Sequence, residues 1–99
     1  MEGISFNEFH EQLYHGCDIS MKDKNWHYMI YSAYTEEGRH SLRVWKFDTL
    51  DNDSKYSEEL YNHVSSDAEN NISLFLDAKI FDGKSFLEVE SNIVIEEIW

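Results

Sequence analysis

The sequence predicts a single α+β domain spanning residues 1–99, with an N-terminal helix packed on an antiparallel sheet of three to four strands and short helices near the C-terminus. Three observations carry this expectation. A capped amphipathic segment opens the chain, a run dense in β-formers fills residues 17–47, and the remainder breaks into short apolar clusters between polar stretches. With 99 residues there is enough chain for one hydrophobic core, and 15% aromatic residues set it apart from a disordered acidic segment.

Ser5-Phe6-Asn7-Glu8 has the capping-box pattern, in which Ser5 accepts from the first helical turn and Glu8 reaches back. Phe6, Phe9 and Leu13 then share one helical face, and the helix runs to about His15, where Gly16 supplies a left-handed cap. Ile19 and Met21 begin a three-strand meander. Lys22-Asp23-Lys24-Asn25 reads as a turn, Trp26–Tyr34 as the second strand, Thr35-Glu36-Glu37-Gly38 as a four-residue loop, and Arg39–Phe47 as the third strand. Pairing Tyr34 with Arg39 places Met29, Tyr31 and Ala33 with His40, Leu42 and Val44 on a face suited to the helix. The other face then carries Trp26, Tyr28, Ile30 and Tyr34 with Arg39, Arg43, Trp45 and Phe47, and a one-residue slip exchanges the assignments.

Asp48–Ser57 reads as a polar loop and Glu58–Val64 as a short helix capped by Ser57, with Leu60, Tyr61 and Val64 on one side. Ser65–Asn71 breaks that helix. Ser73 caps a second one through Leu74, Phe75, Leu76 and Ala78, ending near Asp82-Gly83. Ser85–Glu90 forms a further helical turn, and Ile93–Trp99 a closing strand.

Charge narrows the function. The chain carries 20 acidic against eight basic residues, a net −12, and residues 48–99 hold 13 of the acids against three lysines. Such a surface repels nucleic acid and anionic lipid and attracts a basic partner. Stacking of bases on the aromatic face beside Arg39 and Arg43 is opposed by the same charge. Lone Cys17 forms no internal disulfide, and no signal-type or membrane-spanning apolar run is present, so a reducing cytoplasm is expected.

No spacing supports chemistry. His10 and His15 are five apart and diverge on a helix, His27 and His40 lie far apart on the sheet, and no C-x-x-C accompanies Cys17. The acidic run from Asp48 fails the calcium-loop pattern, with Leu50, Lys55 or Tyr56 at positions needing ligands or glycine. Cys17 precedes Asp18, the wrong setting for a thiolate, and the four glycines are scattered as caps and turns. No catalytic residue, metal or cofactor is expected.

The segment Asp77-Ala-Lys-Ile-Phe-Asp-Gly-Lys-Ser-Phe-Leu-Glu-Val-Glu90, followed by Ile93–Ile98, resembles the C-terminal end of small uncharacterised bacterial proteins of similar length. In size and charge such proteins are similar to immunity proteins that shield a cell from a toxin. The resemblance and the charge together imply a non-enzymatic inhibitor of a basic protein, a nuclease-type toxin or another nucleic-acid enzyme. The expected contact residues are Asp48, Asp51, Asp53, Glu58 and Glu59, joined by Glu36 and Glu37 on a neighbouring loop. Tyr34, Trp45 and Tyr56 are the candidate aromatic anchors. The competing expectation is a structural or regulatory module that homo-oligomerises through its aromatic sheet face. The sequence leaves monomer and homodimer both open.

Overall fold

The computed structural model describes residues 1–24, 26–49 and 53–99. In chain order the elements are α1 (Phe6–Tyr14), β1 (Ile19–Asp23), β2 (Trp26–Tyr34), β3 (His40–Phe47), β4 (Ser57–Ser65), α2 (Ala68–Asp77), α3 (Phe86–Val89), a 3₁₀ turn (Glu90–Asn92) and β5 (Val94–Ile98). The architecture is α+β, as the sequence predicts, but the sheet has five strands in the order β4-β3-β2-β1-β5, all neighbours antiparallel.

The first helix forms where its end signals place it. Ser5 Oγ accepts from the Glu8 backbone N–H at 3.1 Å. At the other end Gly16, at φ +83°, lets the Cys17 N–H reach back to the Gln12 carbonyl (3.0 Å) and its own N–H to that of Leu13 (3.2 Å). This is the double closure of a left-handed helix terminus. The helix buries Phe9 and Leu13 completely.

The β2–β3 register differs from the sequence expectation by one residue: Tyr34 faces His40, not Arg39. The loop explains it. The Thr35 N–H donates to the Arg39 carbonyl (2.8 Å), the Gly38 N–H donates to that of Thr35 (2.9 Å), and Gly38 sits at φ +81°. This is a tight turn followed by a left-handed glycine, and it spends five residues rather than four. The slip moves all of β2 to the opposite face. Tyr28, Ile30 and Ser32 are buried under the helices beside Leu42 and Val44, while Met29, Tyr31 and Ala33 lie on the other side.

Residues 57–65 form a strand, not the expected helix. Leu60, Tyr61 and Val64 satisfy helical spacing, but as a strand the segment satisfies the hydrogen-bonding edge of β3. A bulge absorbs Leu60, since Val44 faces Tyr61 and Trp45 faces Glu59. The second helix begins earlier than expected. Asp67, not Ser73, is its cap, accepting from the Asn70 N–H at 3.2 Å, and Asn71, Ile72 and Phe75 form its buried face. The turn at Ser85 closes as a full capping box with Glu88.

All three helices pack on one face of the sheet. Their side chains meet Ile19, Met21, Ile30, Leu42 and Val44 in one core with Phe81 and Ile93. Phe9 stacks on Phe86 at 4.6 Å, and Phe75 and Phe81 extend this aromatic cluster. A buried polar knot ties the layers together. His40 Nε2 lies 2.8 Å from the Leu13 carbonyl, which also accepts from Ser32 Oγ at 2.6 Å. The Asn71 amide donates to the His40 ring and to the His40 carbonyl, each at 3.0 Å, and its oxygen meets His63 Nδ1 at 2.7 Å. One asparagine therefore joins α2 to β3 and β4, and one carbonyl at the end of α1 joins that helix to β2 and β3.

Asn71→Ala should strand several buried polar groups at once, at a cost on the order of 3 kcal/mol. Ser73→Ala, at an exposed position of the same helix, should stay within about 0.5 kcal/mol. Urea unfolding of both variants checks this, and equal midpoints would remove the knot's claimed role.

Candidate functional site

The sheet face away from the helices is the candidate site. The register sets out one rung across all five strands: Glu59, Trp45, Met29, Ser20 and Glu97. Arg43 and Tyr31 are paired in the next rung, and Phe47 and His27 in the opposite direction. The face thus has an aromatic and thioether centre with a carboxylate at each end of its middle rung.

Most of its charges are paired. Arg43 donates to Glu59 at 2.9 Å and lies 5.9 Å from the centre of the Trp45 ring, and His27 Nδ1 is 2.8 Å from Glu96. Among the described residues Glu97 has no ion-pair partner, and neither does Lys22, which lies on the same face two residues along β1 from Ser20. Met29, Tyr31, Phe47, Thr49, Ser54, Glu97 and Trp99 line a basin of about 350 Å³. Trp99 is held there by its backbone, which exchanges hydrogen bonds with Asp18 at 2.8 and 3.1 Å while the side chain stays 56% exposed.

The residues expected from sequence to share one contact surface do not gather. Trp45 and Glu59 lie on the open face. Tyr34 lies on the helix side, where its hydroxyl donates to the Tyr14 carbonyl and its ring meets His40 edge-on. Burial pushes the Tyr34 hydroxyl above its ordinary range, with smaller contributions from Tyr14 and Glu69. Tyr56 packs on Trp26 at 5.2 Å and donates to the Glu58 carboxylate, which raises the Tyr56 pKa. Lys46 sits 4.3 Å from the Trp26 ring centre on the same side and 3.5 Å from Asp82. Glu36 and Glu37 occupy the β2–β3 turn, at the opposite end of β3 from Asp48, so their loop is not the neighbour it was expected to be. Asp53 is exposed, and Asp51 lies outside the described residues.

Asp48 has an internal task. Its carboxylate accepts from the Thr49 N–H (2.9 Å), Ser54 Oγ (2.7 Å), and the N–H groups of Lys55 (3.3 Å) and Tyr56 (3.4 Å). The Ser54 hydrogen bond first, then the backbone donors, hold its carboxyl below the usual carboxylate range. It organises the β3–β4 connection and has little accepting capacity left to offer outward.

One constellation not foreseen from sequence has the residue types of a nucleophilic triad: Ser32, His40 and Asn71. Ser32 Oγ is 3.3 Å from His40 Nε2. The bonding assigns it to structure. A carbonyl can only accept, so Nε2 carries the proton that points at Leu13, and no lone pair there faces the hydroxyl. All three side chains are at most 1% exposed. Among the described residues, no three His, Cys, Asp or Glu side chains gather into a metal-holding group, and no helix is long and apolar enough to cross a membrane.

No family model matches the chain, and neither does any curated protein or solved structure.

Sequence alone does not reveal the basin, because a Tyr34–Arg39 register turns Met29 and Tyr31 to the buried side, whereas the actual Tyr34–His40 register turns them outward. Simple alternation along β5 could not have found Glu97 either, because the β1–β5 pairing is bulged and puts Glu96 and Glu97 on the same open face.

Asp48 also gives a pH window. A carboxyl depressed in the folded state contributes fully above the ordinary value of about 3.9, and that contribution disappears as pH falls through the depressed value. The amide proton shifts of Lys55 and Tyr56 should therefore titrate together with a midpoint below about 3.9. A midpoint at or above that value would mean that these hydrogen bonds do not hold the loop.

Proposed function

We propose that the chain is a non-catalytic binding domain that neutralises a basic protein, docking through the open face of its sheet. A nuclease-type toxin or another nucleic-acid enzyme is the partner class whose chemistry fits best, because a cleft that grips phosphate is positively charged. The observation that carries the reading is an aromatic sheet face opposite the helices, with Tyr31 and Trp99 exposed and Trp45 and Phe47 half-buried, on a protein of net −12. The aromatic centre offers desolvated anchors, and the acidic whole steers a basic partner toward them. Trp45 is the anchor kept from the sequence reading. Tyr31, with 37% of its surface exposed, joins it.

The same face supports a second reading, a homodimer that buries Tyr31, Trp45 and Phe47 against a second copy. Charge weighs against it, since self-association brings two −12 bodies together.

Sedimentation equilibrium and affinity capture separate the two. The protein should be a monomer, and the immobilised chain should retain a basic protein whose association rate falls steeply with salt and whose activity it inhibits. Trp45→Ala should speed dissociation from that partner, at a cost of about 2 kcal/mol or more. A stable dimer that protects Tyr31 and Trp45 from solvent, or a captured partner whose association ignores salt, would overturn the inhibitor reading.

A further inference from the structure

We infer that the basin beside Glu97 is a receptor for a single cationic side chain, an arginine presented by the partner. This rests on the binding reading above and names the contact on which it turns. The first support is the lining. Tyr31, Phe47 and Trp99 bring three aromatic rings to one hollow of about 350 Å³, at the small end of the range that encloses a ligand. Ring faces are negative, and they attract a cation more strongly as water is displaced.

The second support is the charge pattern. On the open face Glu59 is paired with Arg43 and Glu96 with His27, each within 2.9 Å. Glu97, on the basin wall, has no such partner among the described residues. A lone carboxylate beside aromatic rings is poorly suited to an apolar or anionic occupant, because either would desolvate it without compensation. It suits a cation.

The third support is positional. Glu97 faces Ser20, one strand away from Met29, and Trp99 is fixed by its hydrogen bonds to Asp18. The wall is therefore carried by paired strands, and little ordering is left to the moment of binding. Arginine fits better than lysine. Its planar guanidinium lies flat on a ring while presenting two parallel N–H groups to one carboxylate, whereas an ammonium is a more strongly hydrated point charge.

The test uses the intact protein with acetyl-arginine-amide as probe and acetyl-citrulline-amide, its neutral isostere, as control. Two-dimensional NMR should show a saturable shift of the Trp99 indole and Tyr31 ring signals with arginine, at a Kd on the order of 1 mM. Citrulline should bind about tenfold more weakly or not at all. Glu97→Gln and Trp99→Ala should each weaken the arginine response about tenfold. Glu36→Gln, which removes one charge from the β2–β3 turn, should leave it unchanged. Thermal unfolding of each variant confirms that it is folded.

Equal binding of arginine and citrulline would overturn the inference. So would a response that maps to the acidic loops, or one that survives Glu97→Gln. If the probe fails while the protein still captures a basic partner at low salt, the basin loses its role and the broader reading stands. If capture fails as well, both fall.

Discussion

The pairing of Tyr34 with His40 sets what lies on either side of the sheet. Because side chains alternate along a strand, this one choice sends Tyr28 and Ile30 under the helices and turns Met29 and Tyr31 outward. Two separate features enforce it. The Thr35–Arg39 turn, with Gly38 in a left-handed conformation, fixes the register locally. At the far side of the core, His40 is placed where its ring meets both the end of α1 and Asn71 of α2. A slip by one residue would bury Arg39 or Ser41 in place of His40 and leave the Leu13 carbonyl and the Asn71 amide without that partner. Turn chemistry and core polarity thus agree on one answer, which is how a small domain avoids competing pairings.

Elements with strong end signals could be read in advance. Ser5, Glu8 and Gly16 delimit α1, and Ser85 with Glu88 marks the turn of α3, because capping is local chemistry between residues a few positions apart. The elements that could not be read depend on partners distant in sequence. β4 carries Glu58, Glu59, Asn62 and His63 among few apolar residues and has strand character only because β3 offers it an edge. The buried Asn71 reads as a loop residue until His40 and His63 surround it. The site followed the same rule. Trp45 could be placed on a sheet face from its strand alone, but Met29, Tyr31, Glu97 and Trp99 converge only once three strands are in register.

The acid excess of the second half is not one electrostatic surface. Asp48 is spent on Ser54 and the backbone of its own loop, and Glu88 on Lys79 and then Ser85, which draw its carboxyl down to about 2. Glu59 and Glu96 are held by Arg43 and His27. Burial instead dominates at Tyr28, whose hydroxyl is pushed up to about 12 by desolvation, with Asp23 and Asp82 adding to the effect. Local structure therefore decides which carboxylates remain available to a partner, and the count in the sequence overstates them.

The strand order carries a consequence for assembly. β1 to β4 follow one another along the sheet as a meander, so each can pair as soon as its neighbour exists, but β5 returns from the far end of the chain to dock on β1. Closing that long loop is the most entropically demanding step of the topology. Glu97 and Trp99 arrive with it, whereas Met29, Tyr31 and Phe47 are already in the meander. Until β5 docks, Met29, Tyr31 and Phe47 have neither Glu97 nor Trp99 beside them, and the basin is unwalled on that side. The basin is completed by the same event that completes the sheet.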